Sequence, residues 1–145
     1  MSESPYRDAI AQLYDYFNCT LSADDPATKD RVKALMQVFA RSVRILEHGD
    51  VRVSGRDQLH GRIEEMVRYH ESVKVTPMVL EIRDAAAVEG REAVEALYGE
   101  MAYLIPRRGK RLFRTSLELH QWERFDSVWR ITGVDRRMVN VFDAD

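Results

Sequence analysis

The 145-residue sequence lacks the features that mark several common classes of protein. Its single cysteine, Cys19, excludes an internal disulfide and a metal site built from thiolates. The opening segment MSESPYRDAIAQ has neither the basic nor the apolar region of a secretory signal, and no apolar run approaches the roughly 20 residues of a membrane span. With 22 basic and 24 acidic side chains, the net charge of −2 gives no general attraction for nucleic acid. The sequence therefore predicts a cytoplasmic protein that binds neither membranes nor nucleic acid.

Motifs for binding metals and phosphate groups are missing as well. The histidines lie in different predicted elements without a two-histidine ligand motif: His48, His60, His70 and His120. His60 and Glu64 have the i, i+4 spacing that is typical of a solvated pair on a helix. No glycine-rich phosphate loop or nucleophile elbow is present. We therefore expect no metal and no cofactor.

Apolar residues recur at helical spacing in three segments of the first half. The first helix is predicted at about residues 5–21, and Asp24-Asp25-Pro26 marks the start of the second. Ser54-Gly55-Arg56-Asp57 has the pattern of a capping box ahead of the third. A short strand is predicted at residues 43–47, between the second and third helices.

The hydrophobic period changes from about 3.6 to 2 in the second half. Segments rich in β-branched and aromatic residues predict four long strands, at residues 73–83, 93–106, 112–125 and 128–141. The turns are predicted at Asp84-Ala85, at residues 107–110 and at Asp126-Ser127, and such short connections imply an antiparallel meander. The sequence therefore predicts an α+β fold, a single domain over residues 1–145, whose helices cover one face of the sheet.

The second face of this sheet also needs a cover. The penultimate strand carries Phe113, Leu117 and Leu119 on one side and Leu112 and Trp122 on the other, so neither side has the polarity of a wetted surface. A homodimer that packs through the outer sheet face would bury the remaining apolar side chains. We expect Leu112 and Trp122 to lie in that contact.

The order of elements resembles that of the nuclear transport factor 2-like superfamily, which includes ketosteroid isomerase and the polyketide cyclase-like proteins. The segments that carry the resemblance are "YFNCTLSADD", "LMQVFARSVRILEHG", "VSGRDQLHGRIEEM" and "WERFDSVWRITGVD". The resemblance extends over about residues 4–141 and implies a cone-shaped α+β barrel, with three N-terminal helices packed on a strongly curved antiparallel sheet. Isomerases, dehydratases, hydrolases and binding modules share this fold, so the fold alone does not define a reaction.

The ketosteroid isomerase pattern implies three catalytic positions in this sequence. Tyr16 stands eight residues before Asp24, as the oxyanion tyrosine of that family stands before its helix-ending aspartate. Glu47 falls at the general base, and His120, two residues before Trp122, falls near the second oxyanion donor. A desolvated carboxylate that faces a phenol and an imidazole suits enolisation or dehydration of a carbonyl compound. A tyrosine and a histidine also recur in the dehydratase relatives, so isomerase and dehydratase both remain open.

Each catalytic position has a structural alternative. Tyr14 competes with Tyr16 for the inward direction on the first helix. Glu47 would equally serve as a surface carboxylate or pair with an arginine such as Arg136. For His120, the strand parity decides between the pocket and the dimer face.

A ligand pocket is predicted behind the sheet, with Glu47 at its inner end. Six residues are expected to line it: Leu97, Gly99, Met101, Thr132, Val134 and Arg136. Gly99 would mark a bend in its strand or a close approach of the ligand. Arg136 is suited to bind an anionic group through two hydrogen bonds, although solvent exposure at the strand end is the alternative.

The sequence therefore predicts a protein that binds a small hydrophobic ligand and acts on a carbonyl compound as an isomerase or dehydratase. The alternative from another class is a non-catalytic module that binds a ligand or dimerises. An oligomerisation module is a third hypothesis, because "RTSLELHQWERFDSVWRITGVDRR" resembles the last hairpin of the association domain of calcium/calmodulin-dependent kinase. His120 and Arg136 occupy positions where that domain has inward arginines, so only one arginine is retained.

Overall fold

The computed structural model describes residues 4–144. Within this range the α-helices are α1 Arg7–Leu13, α2 Thr28–Met36 and α3 Arg56–Tyr69, and a 3-10 helix, Tyr14–Phe17, follows α1. The strands are β1 Cys19–Leu21, β2 Phe39–Glu47, β3 Asp50–Ser54, β4 His70–Val88, β5 Arg91–Pro106, β6 Leu112–Phe125 and β7 Val128–Asp143. None of these helices has both the length and the apolarity needed to cross a bilayer.

The seven strands form a single curved sheet in the order β1-β4-β5-β6-β7-β2-β3. The predicted antiparallel meander is confirmed for β4 to β7, while β2 pairs in parallel with β7. The sheet stays open, because β1 and β3 lie at its two edges. The prediction of three N-terminal helices on a barrel is therefore correct only in part, since β1, β2 and β3 are interleaved with the helices and the barrel does not close.

The first helix is shorter than predicted. It ends at Leu13, the 3-10 turn continues to Phe17, and β1 begins at Cys19. From Cys19 to Leu21 the side chains are half-buried, exposed and buried in turn, which is the period of a strand, and they pair with β4. Cys19 therefore lies in an edge strand rather than in the first helix, which was predicted to extend to about residue 21.

Two tight turns account for two further differences from the predicted elements. His48 and Gly49 have φ angles of 52° and 84° and join β2 to β3 as a hairpin. Only the first strand of this hairpin was predicted, at residues 43–47. Glu89 and Gly90, with φ angles of 49° and 79°, join β4 to β5, so the turn predicted at Asp84-Ala85 is wrong. Paired positive φ angles match the right-handed twist of the flanking strands, and glycine at the second position removes the steric cost.

The main apolar core lies inside the curve of the sheet. Fully buried residues of α1, the 3-10 helix and the concave sheet face contribute to it, among them Ile10, Tyr14, Val43, Val73, Tyr98, Trp122 and Ile131. Trp122 has no exposed surface, so the prediction that it lies in a dimer contact is wrong. Even-numbered side chains of β6 point inward and odd-numbered ones point outward, and the apolar residues on both faces conceal this parity in the sequence.

Candidate functional site

A cavity of about 460 Å³ lies on the concave side of the sheet, beside α3. Its walls are largely apolar and include Phe17, Leu21, Leu35, Phe39, Ile45, Val53, Leu59 and Ile63. Ionisable side chains from the three long strands β5, β6 and β7 also line it: Glu100, Arg114, Glu118, His120 and Arg136. An apolar cavity of about 300–1,000 Å³ with a few convergent polar groups is typical of a small-molecule site.

The register of the long strands brings these polar side chains together. Glu118 of β6 lies opposite Tyr98 of β5 on one side and Arg136 of β7 on the other. His120 is two residues further along β6 and therefore shares the concave face with Glu118. The pairing of the strands thus determines the distances between the backbone positions that carry these polar side chains.

A chain of buried hydrogen bonds runs through His120. The indole N–H of Trp122 donates to the Tyr14 hydroxyl oxygen at 3.0 Å, and this hydroxyl lies 2.6 Å from Nδ1 of His120. On the other side of the ring, Nε2 lies 2.8 Å from Oε1 of Glu118. Because Trp122 can only donate, Tyr14 is free to donate its own proton to Nδ1, and His120 then donates from Nε2 to Glu118. A proton on Nε2 alone satisfies every member of the chain.

Glu118 is held as a carboxylate. Its second oxygen, Oε2, accepts a hydrogen bond from Nε of Arg136 at 3.1 Å. Burial favours the protonated form of Glu118, but the hydrogen bond from His120 and the nearby charge of Arg136 outweigh this effect and lower the pKa of Glu118. Arg136 also approaches Glu47, with 3.7 Å between Nη1 and Oε2.

Glu100 lies in the same cavity in a different electrostatic setting. Its Oε1 accepts a hydrogen bond from the Tyr98 hydroxyl at 2.7 Å, whereas its Oε2 lies 3.6 Å from Nη2 of Arg114. Burial, together with the negative charge of Glu118, raises the pKa of Glu100. These two carboxyl groups, which the strands β5 and β6 direct into the cavity, therefore have pKa values shifted in opposite directions, which is the pattern expected of an acid–base pair.

Aromatic stacking restrains the polar groups. The ring of Tyr98 stacks on that of His120 with 4.6 Å between centroids, and Tyr14 stacks on Tyr98 at 5.1 Å. Burial raises the pKa of both Tyr14 and Tyr98 above the ordinary value, so both phenols keep their protons at neutral pH and act as donors. The hydroxyl groups thus occupy fixed positions at the polar side of the cavity.

The structure separates the three sequence-predicted catalytic residues. His120 lines the cavity and is 1% exposed. Tyr16 is 49% exposed, and the neighbouring Tyr14 is the tyrosine that contacts His120. Glu47 lies outside the cavity lining and approaches Arg136, which is the pairing considered as its alternative role.

Of the six residues predicted to line the pocket, Val134 and Arg136 do so. The residues predicted on β5, Leu97, Gly99 and Met101, lie on the outer face instead, because Tyr98 and Glu100 alternate with them and point inward. A shift of one residue in strand parity moves the whole set to the other face.

The remaining residue of the predicted lining, Thr132, lies where β7 changes register. Gln121 pairs with Gly133 and Trp122 pairs with Ile131, so Thr132 is the extra residue of a bulge. Its hydroxyl is directed to the carbonyl oxygen of Gln121 at 3.4 Å rather than into the cavity. A bulge of this kind re-aims one side chain and leaves the flanking inward residues in place.

Sequence reasoning missed Glu100, Arg114 and Glu118 as cavity residues. Arg114, Ser116, Glu118 and His120 form an alternating polar series on β6, which is the usual pattern of a solvated strand face. The only signal against that interpretation is Trp122, which continues the same face and is too large and apolar for solvent.

Comparison with solved structures defines the fold. A Novosphingobium aromaticivorans protein provisionally assigned as a scytalone dehydratase superposes with a TM-score of 0.68, at 13% identity over 96% of this chain and 87% of that chain. A hexachlorocyclohexane dehydrochlorinase, LinA type 3 of Novosphingobium barchaimii, gives a TM-score of 0.64 at 15% identity, over 96% and 91% of the two chains. A nuclear transport factor 2-like protein of unknown function from Shewanella oneidensis gives 0.60 at 16% identity, over 90% and 97%. The chain therefore has the nuclear transport factor 2-like fold, as its resemblance predicted.

The sequence itself matches no protein-family model and no curated protein. Identities of 13–16% to the solved structures support the shared fold and leave the reaction to be argued from the cavity.

Proposed function

We propose that the protein binds a small hydrophobic carbonyl compound in the cavity and acts on it by proton transfer, as a dehydratase or an isomerase. The observation that carries this proposal is the pair of cavity carboxyl groups, Glu100 and Glu118, whose pKa values are shifted in opposite directions. The structural likeness to a protein assigned as a dehydratase and to dehydrochlorinases adds support, because both names denote eliminations.

Glu100 is the proton carrier in this proposal. A carboxyl with a raised pKa is a stronger base than an ordinary glutamate, and its Oε2 makes no hydrogen bond with the described residues. Glu100 takes a proton from the carbon beside the carbonyl, and the electron pair of that C–H bond moves toward the carbonyl oxygen as an enolate forms. The proton then returns to another carbon in an isomerisation. In a dehydration it passes to a β-hydroxyl group, which leaves as water.

Glu118 and His120 have a positioning role in this mechanism. Both oxygens of Glu118 and both ring nitrogens of His120 are occupied by protein partners, so neither group has a free atom for proton abstraction. Glu118 instead keeps a fixed negative charge beside Glu100, and this charge helps to keep the Glu100 pKa high. The full occupancy of His120 and Glu118 also favours a second candidate function, a binding module in which the network shapes a pocket without chemistry.

Hydrogen–deuterium exchange distinguishes these two functions. Wild-type protein in deuterated buffer is expected to catalyse α-proton exchange, followed by NMR, on at least one member of a panel of cyclic enones, ketones and β-hydroxy ketones. Glu100→Gln should abolish the exchange and still bind the compound, while Glu71→Gln, at an exposed site on β4 outside the cavity lining, should leave the rate unchanged. Binding without exchange across the panel would support the binding module, and exchange that survives in Glu100→Gln would exclude Glu100 as the carrier.

We also propose that the outer sheet face forms a homodimer contact. Met78, Gly99, Leu117 and Met138 stand in register across β4, β5, β6 and β7. The Met78 and Met138 side chains are 60% and 54% exposed, so this row forms an apolar centre on the outer face. The next row along the strands includes Asp135, so the apolar centre has a charged margin. An apolar centre with a polar rim is the usual anatomy of a protein–protein interface, and a second copy of the same face supplies a matching surface.

A further inference from the structure

One of the three arginines that line the cavity differs from the other two in its hydrogen bonds, since Arg62 donates to the carbonyl oxygen of Arg52 at 2.9 Å. Arg136 donates to Glu118 at 3.1 Å and approaches Glu47. Arg114 lines the same cavity with one-third of its side chain exposed, and its guanidinium makes no hydrogen bond to residues 4–144. Its nearest carboxylate oxygen, Oε2 of Glu100, is 3.6 Å from Nη2, which is too long for a good hydrogen bond.

The groups around Arg114 also have unused polar atoms. Oε2 of Glu100 makes no hydrogen bond within the described part of the chain, because the Tyr98 hydroxyl bonds to Oε1. The hydroxyl of Ser116, which pairs across the strands with Glu100, is buried and has no hydrogen-bond partner in the same range. Buried polar groups in folded proteins are normally paired, so this cluster is incomplete as the chain alone builds it.

We infer that Arg114 binds the carboxylate of an apolar ligand and that Glu100 takes up a proton as the carboxylate enters. This inference rests on the proposed small-molecule site and gives the chemical class of a second ligand, an apolar carboxylic acid. Glu100 is protonated in that complex and therefore does not act as a base on this ligand. The planar guanidinium matches a carboxylate with two parallel hydrogen bonds, and the apolar cavity wall accommodates the remainder of the molecule.

Proton uptake follows from the charges that face Glu100. Burial and the charge of Glu118 raise its pKa, while the Tyr98 hydrogen bond and the charges of Arg114 and Arg136 lower it. Cys19, from β1, also lies near this carboxyl group; burial first, and then the charge of Glu100, raise the pKa of the thiol. A bound carboxylate would neutralise Arg114 and add a second negative charge, and both changes raise the Glu100 pKa further. A proton therefore enters with the ligand at pH values between the Glu100 pKa of the free protein and its higher pKa in the complex.

Calorimetry with matched probes tests the inference. The probes are 3-phenylpropanoate, its amide and 3-phenylpropan-1-ol, which share the apolar part and differ in charge. The acid is expected to bind wild type at least about tenfold more tightly than the two neutral probes. Arg114→Gln should remove this preference, and Arg111→Gln, an exposed site outside the cavity lining, should retain it. Titrations in two buffers of different ionisation enthalpy should show proton uptake by wild type and none by Glu100→Gln.

The outcomes separate this inference from the proposed function. Equal binding of the acid and the alcohol, unchanged in Arg114→Gln, would overturn the carboxylate site and leave the small-molecule pocket standing. Failure of all three probes to bind wild type at millimolar concentration would contradict the carboxylate site, and the exchange assay on carbonyl compounds would then decide the proposed function separately. Proton uptake is measured on the wild-type protein, so this part of the test holds even if a variant fails to fold.

Discussion

Replacing Tyr14 by phenylalanine removes one oxygen from the centre of the buried hydrogen-bond chain. The Tyr14 hydroxyl receives the indole N–H of Trp122 at 3.0 Å and lies 2.6 Å from Nδ1 of His120. Phenylalanine keeps the ring, which stacks on Tyr98 and His120 at centroid distances of 5.1 and 5.6 Å. The substitution therefore changes hydrogen bonding with little change in packing.

The expected loss of stability follows from the two groups left unpaired. Trp122 and His120 are 0% and 1% exposed, so solvent cannot replace the lost partner. A buried polar group without a partner costs about 1–3 kcal/mol. His120 keeps its proton on Nε2, where Glu118 accepts it, so only Nδ1 of the ring loses its partner. We expect a destabilisation of about 2–4 kcal/mol, which corresponds to a fall in Tm of roughly 5–15 °C for a domain of this size.

Urea unfolding at fixed protein concentration measures this change. Far-ultraviolet circular dichroism and tryptophan fluorescence should give coincident transitions if the unfolding is two-state. Tyr16→Phe is the matched control, because its side chain is 49% exposed and its change should stay within about 0.5 kcal/mol. A Tyr14→Phe variant as stable as the Tyr16→Phe control would refute the buried chain.

Three further predictions concern groups outside the cavity centre. Glu123→Gln should lower Tm at neutral pH. Burial raises the Glu123 pKa, but hydrogen bonds, among them that from Arg91, lower it overall. The difference in Tm from wild type should therefore vanish as the pH falls through the folded pKa of Glu123. Glu47→Gln should cost no more than about 1 kcal/mol in urea unfolding, because Arg136 keeps its hydrogen bond to another carboxylate; a larger loss would show a stronger pair. Met138→Lys should convert a dimer to a monomer in sedimentation, and a wild-type monomer at micromolar concentration would contradict the proposed contact.

The strand content of the second half could be predicted because its local signals agree. Period-2 patterning, β-branched residues and the Asp126-Ser127 turn all indicate the same hairpin, and the structure places β6 and β7 on either side of that turn. β1 was missed because three residues are too few to show a period, and β1 follows the 3-10 turn after only one residue. The strand exists because it pairs with β4, a contact that local sequence does not report.

The sequence could not predict which side chains of each strand point into the candidate site. On β6, Phe113, Leu117 and Leu119 point outward, and the polar residues Glu118 and His120 point inward. The rule that apolar residues mark the core therefore fails on this strand, because its outer face is apolar and its inner face borders a cavity. Pairing with β5 and β7 determines which side chains of β6 point inward. The inward direction of His120 in turn brings it into contact with Tyr14.

The two cavity glutamates contribute to stability with opposite signs, and this difference separates structure from function. Glu118 has a lowered folded pKa, so its contribution is present above the unfolded pKa and is lost as the pH falls through the folded one. Glu100 has a raised folded pKa, so the native state favours its protonated form, and the stability it gives at low pH is lost as the pH rises through the folded pKa. At neutral pH an ionised Glu100 thus lowers the free energy of unfolding, and an apolar residue or a glutamine at this position would avoid that loss. A largely buried carboxyl that lowers stability, lines a cavity and has one oxygen without a hydrogen bond to residues 4–144 is better explained by ligand binding or proton transfer than by folding.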